Sequence, residues 1–173
     1  VWDREHQKKI DNITRIVTDL ESVDIDKEIN LHKRKTEWIS LKSEIDYMMK
    51  ELTFLENNLS SIETEISNIE DQLSRVKNHS CPVCEQELHS DMNEKLMDQL
   101  TQKKDIAMDK KEEISRLLSE IAEKMEPKIQ LMDQLGEIPQ THYRTVEEAW
   151  EHRGIFDKKC SELDRELSSV NPY

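Results

Sequence analysis

From Ile10 onward apolar residues return every three or four positions: Ile13, Val17 and Leu20, then Leu31, Trp38, Leu41, Ile45, Met48, Leu52, Leu55, Leu59, Ile62, Ile66, Ile69, Leu73 and Val76. A mean interval of about 3.5 residues draws one stripe along a slightly underwound helix. The helix that carries such a stripe cannot bury it, so a facing helix is required. Between Leu20 and Trp38 the seam is damaged, because the positions in phase include Asp24, Lys27 and Arg34. The first arm, residues 1–78, is therefore expected to be helical, irregular near 24–35, and unstable alone.

The facing stripe lies further along the chain. Met92, Leu96, Leu100, Ala107, Ile114, Leu117 or Leu118, Ile121, Met125, Ile129, Met132 and Leu135 follow helical spacing, with Ser90 as a plausible N-cap. Gly136 and Pro139 end this arm. The spacing thus predicts a descending arm over 90–135, a loop over 136–144 and a continuing helix over 145–170. Thr145 and Glu148 stand in capping-box relation at its start. Ala149, Phe156, Cys160, Leu163, Leu167 and Val170 form its stripe, and Pro172 closes the segment.

Residues 79–89 separate the two arms and contain Cys81-Pro82-Val83-Cys84. Counted outward from the cysteines, Leu135 falls opposite the damaged seam at Asn30, and Pro127 falls opposite Trp38. Matching defects favour a hairpin folded about the cysteine turn over one straight helix, which Pro82 also opposes. The expected fold is all-α: a long antiparallel coiled-coil hairpin with a C-x-x-C turn at its apex and an interrupted second arm. An arm of this size would reach on the order of 110 Å at about 1.5 Å per residue.

Composition narrows the function. Of 173 residues, 35% are hydrophobic and 36% charged, too polar for an ordinary globular core, and two glycines and four prolines exclude a loop-rich or all-β fold. The net charge of −13 argues against direct nucleic-acid binding along the arms, since that affinity comes from clustered Lys and Arg. The short basic run His32 to Lys35 is read as a solvated face, with a local anionic contact as the alternative. Gly136 and Gly154 are too isolated to build a phosphate-binding loop, so no nucleotide site and no catalytic residue is assigned. No run is long and apolar enough for a bilayer, no signal region opens the chain, and three cysteines make an odd count. The expectation is an intracellular protein, in cytoplasm, nucleoid or nucleus and not secreted. A first residue other than Met suggests a segment of a larger protein, or equally a processed N-terminus.

Cys81 and Cys84 offer two thiolates at a spacing that can chelate one zinc ion, half of a tetrahedral structural site. Three completions are open. A second copy could bring its own pair, giving one Zn2+ shared between two chains. His79 and His89 could close the site within one chain. The thiols could instead form a redox dithiol, although that chemistry prefers a thioredoxin-like setting with strands. A metal-independent coiled-coil scaffold is the structural alternative. Cys160, Trp38 and Phe156 are read as core residues and the Met48-Met49 pair as seam packing. His6, His32, His142 and His152 share no spacing that would hold a metal.

The Cys81-Pro82-Val83-Cys84 turn followed by Leu88, set between heptad arms, resembles the hook of the zinc-hook ATPases of DNA double-strand-break repair, the SMC-like SbcC and Rad-fifty family with its phage versions. The resemblance implies that Cys81 and Cys84 ligate a zinc ion shared between two chains. It implies that Pro82, Val83 and Leu88 lie at the hook-tip interface of a homodimer. It also implies a parent ATPase whose head domains, absent here, meet a nuclease subunit and DNA, so that the segment itself is not an enzyme. Glu85 departs from the family pattern, since many relatives carry glycine directly after the second cysteine. The shape of the turn at Glu85 is thus the point for a structure to decide.

Overall fold

A computed structural model describes residues 1–170; Pro172 lies outside the described residues. Four helices follow in order: α1 (Trp2–Glu21), α2 (Ile25–Lys77), α3 (Ser90–Leu135) and α4 (Val146–Leu167). No strand forms among the described residues, and an isolated antiparallel bridge joins Ser80 to Glu87. The chain divides into two compact units. One is Leu41–Gln134, and the other comprises Val1–Ser40 with the described residues from Leu135 onward.

The Leu41–Gln134 unit is an antiparallel coiled-coil hairpin of α2 and α3. Leu41, Ile45, Ile66, Ile69 and Val76 on α2 and Leu100 and Ala107 on α3 are buried. Around Ile66, Ile69, Val76, Leu100 and Ala107 pack Ile62, Leu73, Leu88, Leu96 and Met97. Every seam residue from Leu41 to Val76 is buried or half-buried, as the heptad spacing requires. Of the Met48-Met49 pair only Met48 joins the seam, because Met49, one position on, turns outward and is exposed. Met92 also leaves the stripe, being exposed in the first turn of α3.

Ion pairs along the flanks give the register. Lys104 meets Glu70 at 3.2 Å and Lys111 meets Glu63 at 3.4 Å, so seven residues on one arm match seven on the other. Lys128, the residue after Pro127, pairs with Glu44. Equal counting from the cysteines, which set Pro127 opposite Trp38, is thus displaced by roughly two turns. The displacement has a structural cause. Extending the register from Glu70 and Lys104 sets Lys77, where α2 ends, level with Met97, so the first two turns of α3 run beside the cysteine turn instead of beside α2. Pro127 forfeits its bond to the Glu123 carbonyl, yet α3 continues to Leu135.

The second unit places α1 against α4, burying Ile13 and Val17 on one helix and Ala149 and His152 on the other. Thr145 and Glu148 form the capping box that the sequence suggests, and α4 ends at Leu167, leaving Leu167 and Val170 exposed. The irregularity expected over 24–35 is confined to Ser22–Asp24. Asp24 caps a fresh helix, its Oδ1 accepting the Lys27 N–H at 3.1 Å, so the first arm is two helices and not one. The cap also resets the phase. Glu28, Leu31, His32 and Lys35 turn inward, while Asp24, Lys27 and Arg34 stay exposed.

His32 is therefore not part of a solvated face. It is 6% exposed and meets the carboxylate of Glu28, itself 4% exposed, at 3.1 Å. The same Glu28 oxygen accepts the Tyr143 N–H at 2.8 Å from the loop before α4. Burial works against the charge on Glu28, but the N–H groups of Tyr143 and His142, together with His32, outweigh it and hold the carboxyl below its ordinary range. From the same loop the Tyr143 hydroxyl meets His152 Nδ1 at 2.6 Å, and His152 Nε2 meets the Leu20 carbonyl at 2.9 Å. These bonds tie α1, the start of α2, the loop and α4 together. Trp38 is half-buried and its indole N–H donates to the Gly136 carbonyl at 3.0 Å, where Gly136 takes the left-handed φ of 70° that stops α3.

Candidate metal centre

The cysteine turn is built on the end of α2. Ser80 N–H donates to the Arg75 carbonyl at 3.0 Å and His79 N–H to the Val76 carbonyl at 2.9 Å. With His79 at φ 53°, these are the two bonds of a Schellman motif, with histidine in the left-handed position that glycine usually fills. The motif turns the chain sharply off the helix axis. Ser80 then bridges Glu87, the Cys81 N–H donates to the Gln86 carbonyl at 2.8 Å, and the Leu88 N–H returns to the His79 carbonyl at 2.8 Å. At the far side α3 starts one residue earlier than a Ser90 cap would give. Ser90 is its first helical residue, and the His89 carbonyl accepts the Asn93 N–H at 2.9 Å.

Between these two sides, Cys81 to Glu85 form a closed knuckle. The Glu85 N–H donates to the Cys81 carbonyl at 3.0 Å, and the Ser80 hydroxyl donates to the Glu85 carbonyl at 3.3 Å. Glu85 adopts φ 61°, the conformation that glycine takes at no steric cost. The departure from the family pattern therefore leaves the turn intact and puts a side chain where none is preferred. That costs about 1–2 kcal/mol of backbone strain.

The knuckle directs donors at sulfur. Backbone N–H groups of Cys84 and Val83 point to the Cys81 thiol, as does the thiol of Cys84, and together they hold Cys81 below the ordinary thiol range against a smaller opposing effect of burial. The two cysteine side chains are within hydrogen-bonding reach of each other, Cys81 half-buried and Cys84 exposed. Two adjacent soft sulfurs, one with its thiol pKa lowered, suit zinc. No cluster of three His, Cys, Asp or Glu side chains suited to a metal occurs among the described residues. His79 and His89 are both exposed and are not gathered with the cysteines into such a set.

Of the proposed tip residues, Val83 is 90% exposed, Pro82 is half-buried, and Leu88 is half-buried and packed against its own hairpin core. Val83 thus projects freely while Leu88 fastens the hook to the arm. Arg75 was not legible in the sequence as part of the hook. Its guanidinium donates to the Pro82 carbonyl at 3.2 Å and lies 3.9 Å from the Glu85 carboxylate and 3.6 Å from that of Asp71. A basic residue in the last turn of a helix suggests only an interaction with the helix dipole. Cys160, by contrast, is half-buried on α4, and burial followed by Glu21, Asp164 and Asp157 raises its thiol above the ordinary range.

An antiparallel coiled-coil hairpin with a C-x-x-C turn at its apex is the architecture of a zinc-hook segment. Residues 59–106 match the family model of the Rad50 zinc hook motif, and that stretch is a zinc hook of the Rad50 and SbcC kind. The match takes in the last turns of α2, the whole cysteine turn and the first turns of α3. No curated protein and no solved structure matches the chain. No described helix is long and apolar enough to cross a membrane.

Proposed function

We propose that this chain is the dimerisation and tethering segment of a DNA double-strand-break repair ATPase. Two copies meet at their apices, and Cys81 and Cys84 of each supply the four thiolates around one shared zinc ion. The observation that carries this reading is the thiol pair of Cys81 and Cys84 at the turn of a hairpin that matches the zinc-hook motif. Val83, exposed beside the ligands, contributes the apolar contact between tips. The segment performs no chemistry of its own. Its role is mechanical, holding two arms together so that ATPase heads outside these residues act jointly with a nuclease subunit on DNA inside the cell. The acidic arms take no part in binding that DNA.

Sedimentation of the chain with zinc and with chelator, for wild type and Cys81→Ser/Cys84→Ser, tests this reading. A dimer lost on chelation and in the double variant is expected. A dimer indifferent to both treatments would mean that the coiled coil associates by itself.

A further inference from the structure

Resting on the zinc-hook reading, we propose that Arg75 is a positioning residue for the thiol pair: by donating to the Pro82 carbonyl it fixes the Pro82–Val83 peptide that presents a donor to Cys81. The Pro82 C=O and the Val83 N–H belong to one peptide unit, which is planar and, with no cis bond among the described residues, trans. They therefore point in opposite directions. A guanidinium held on the carbonyl at 3.2 Å sets the direction of the N–H, and the Val83 N–H is among those that reach the Cys81 sulfur. The positive charge on the carbonyl side also polarises the peptide and strengthens the N–H donor.

The anchor is independent of the knuckle it orients. Arg75 sits in the last turn of α2, and its carbonyl receives the Ser80 N–H and the Asn78 N–H, so its backbone is fixed by the same Schellman turn that launches the hook. Val76, its neighbour, is fully buried and holds the helix end against α3. Asp71, one turn back, flanks the guanidinium at 3.6 Å and Glu85 flanks it at 3.9 Å on the hook side. The Glu85 contact is long and solvated and is worth little, whereas the Pro82 bond is directional. Four thiolates outweigh the charge of one divalent ion, so a cation beside each knuckle also favours the loaded site.

Cobalt and zinc titrations of wild type, Arg75→Met and Arg75→Lys test this, with the Val83 amide followed by hydrogen exchange in the metal-free protein. Arg75 is partly exposed, so both variants should keep the helical content and melting temperature of wild type. Arg75→Met should bind zinc about tenfold more weakly, the lower end of what removing a partner behind a metal ligand does. It should also alter the thiolate-to-cobalt charge-transfer band and exchange the Val83 amide faster, and Arg75→Lys should recover most of the loss. The same loss is expected in a Glu85→Gly background, because the route is through Pro82. Zinc affinity within twofold of wild type with an unchanged cobalt spectrum would overturn the assignment, as would a loss that vanishes in the Glu85→Gly background. Failure of wild type itself to bind metal through Cys81 and Cys84 would overturn the hook reading along with it.

Discussion

Replacing Glu85 by glycine should stabilise the hook. Glu85 holds φ 61° and is nearly fully solvated, with its nearest charge, Arg75, 3.9 Å away. Glycine removes about 1–2 kcal/mol of left-handed strain, loses at most about 1 kcal/mol of exposed ion pairing, and costs about 0.5–1 kcal/mol in the unfolded chain. Because the ion pair is long, its share is near the bottom of that range, and the balance favours glycine by roughly 0.5–1 kcal/mol. The knuckle opens locally, so the gain should appear in exchange of the Cys81 and Leu88 amides, which close the hook through Gln86 and His79. About 1 kcal/mol corresponds to roughly fivefold slower exchange in the metal-free protein. Glu85→Asn should gain less and Glu85→Ala should gain nothing, since alanine keeps the strain and loses the ion pair. Unchanged or faster exchange in Glu85→Gly would refute the claim that the left-handed backbone, and not the side chain, governs this turn.

Other perturbations follow from the same geometry. His79→Gly should also stabilise the helix end by up to about 1 kcal/mol through the Schellman position, while leaving zinc binding intact; loss of zinc in an equilibrium titration would mark His79 as a ligand. Thr145→Ala should lower the thermal stability of the α1 and α4 unit by about 1 kcal/mol, because the Glu148 N–H loses its cap; an unchanged calorimetric melt would contradict this. Glu28 has a lowered carboxyl pKa, so its contribution is present above the ordinary carboxyl value of 4.5 and is lost as pH falls from there through the lower folded value. Glu28→Gln should flatten that acid limb of a stability-versus-pH curve and reduce stability at neutral pH; an acid limb unaltered by the substitution would remove Glu28 as its source.

Much of the hairpin was legible because burial on a coiled-coil arm follows a local rule. Each residue from Leu41 to Val76 on the apolar stripe is buried or half-buried, and the Thr145 capping box lies where its spacing put it. The register was not legible, because it depends on how the hook turn lies beside α3, and no local pattern encodes that the first turns of α3 face the turn. Asp24 was read as a defect in a seam when it is the cap of a new helix, since a charged residue in phase looks the same in either role. His32 was read as surface because it opens a short basic run, and its burial is made tolerable by Glu28, whose carboxylate is held in turn by Tyr143, 115 positions further on. At the hook the thiols announce themselves by spacing. Arg75 and the left-handed backbone of His79 do not, because a bond to a main-chain carbonyl and a helix-end φ carry no sequence signature, and at Glu85 only the glycine usual in relatives pointed to the turn.

The most direct test of the account is the amount of zinc in the dimer itself, measured by native mass spectrometry of the intact assembly. Two chains bearing one zinc, converted to metal-free monomers by chelator and not formed by Cys81→Ser/Cys84→Ser, is the predicted result. One zinc on each monomeric chain, or a dimer that carries none, would contradict it.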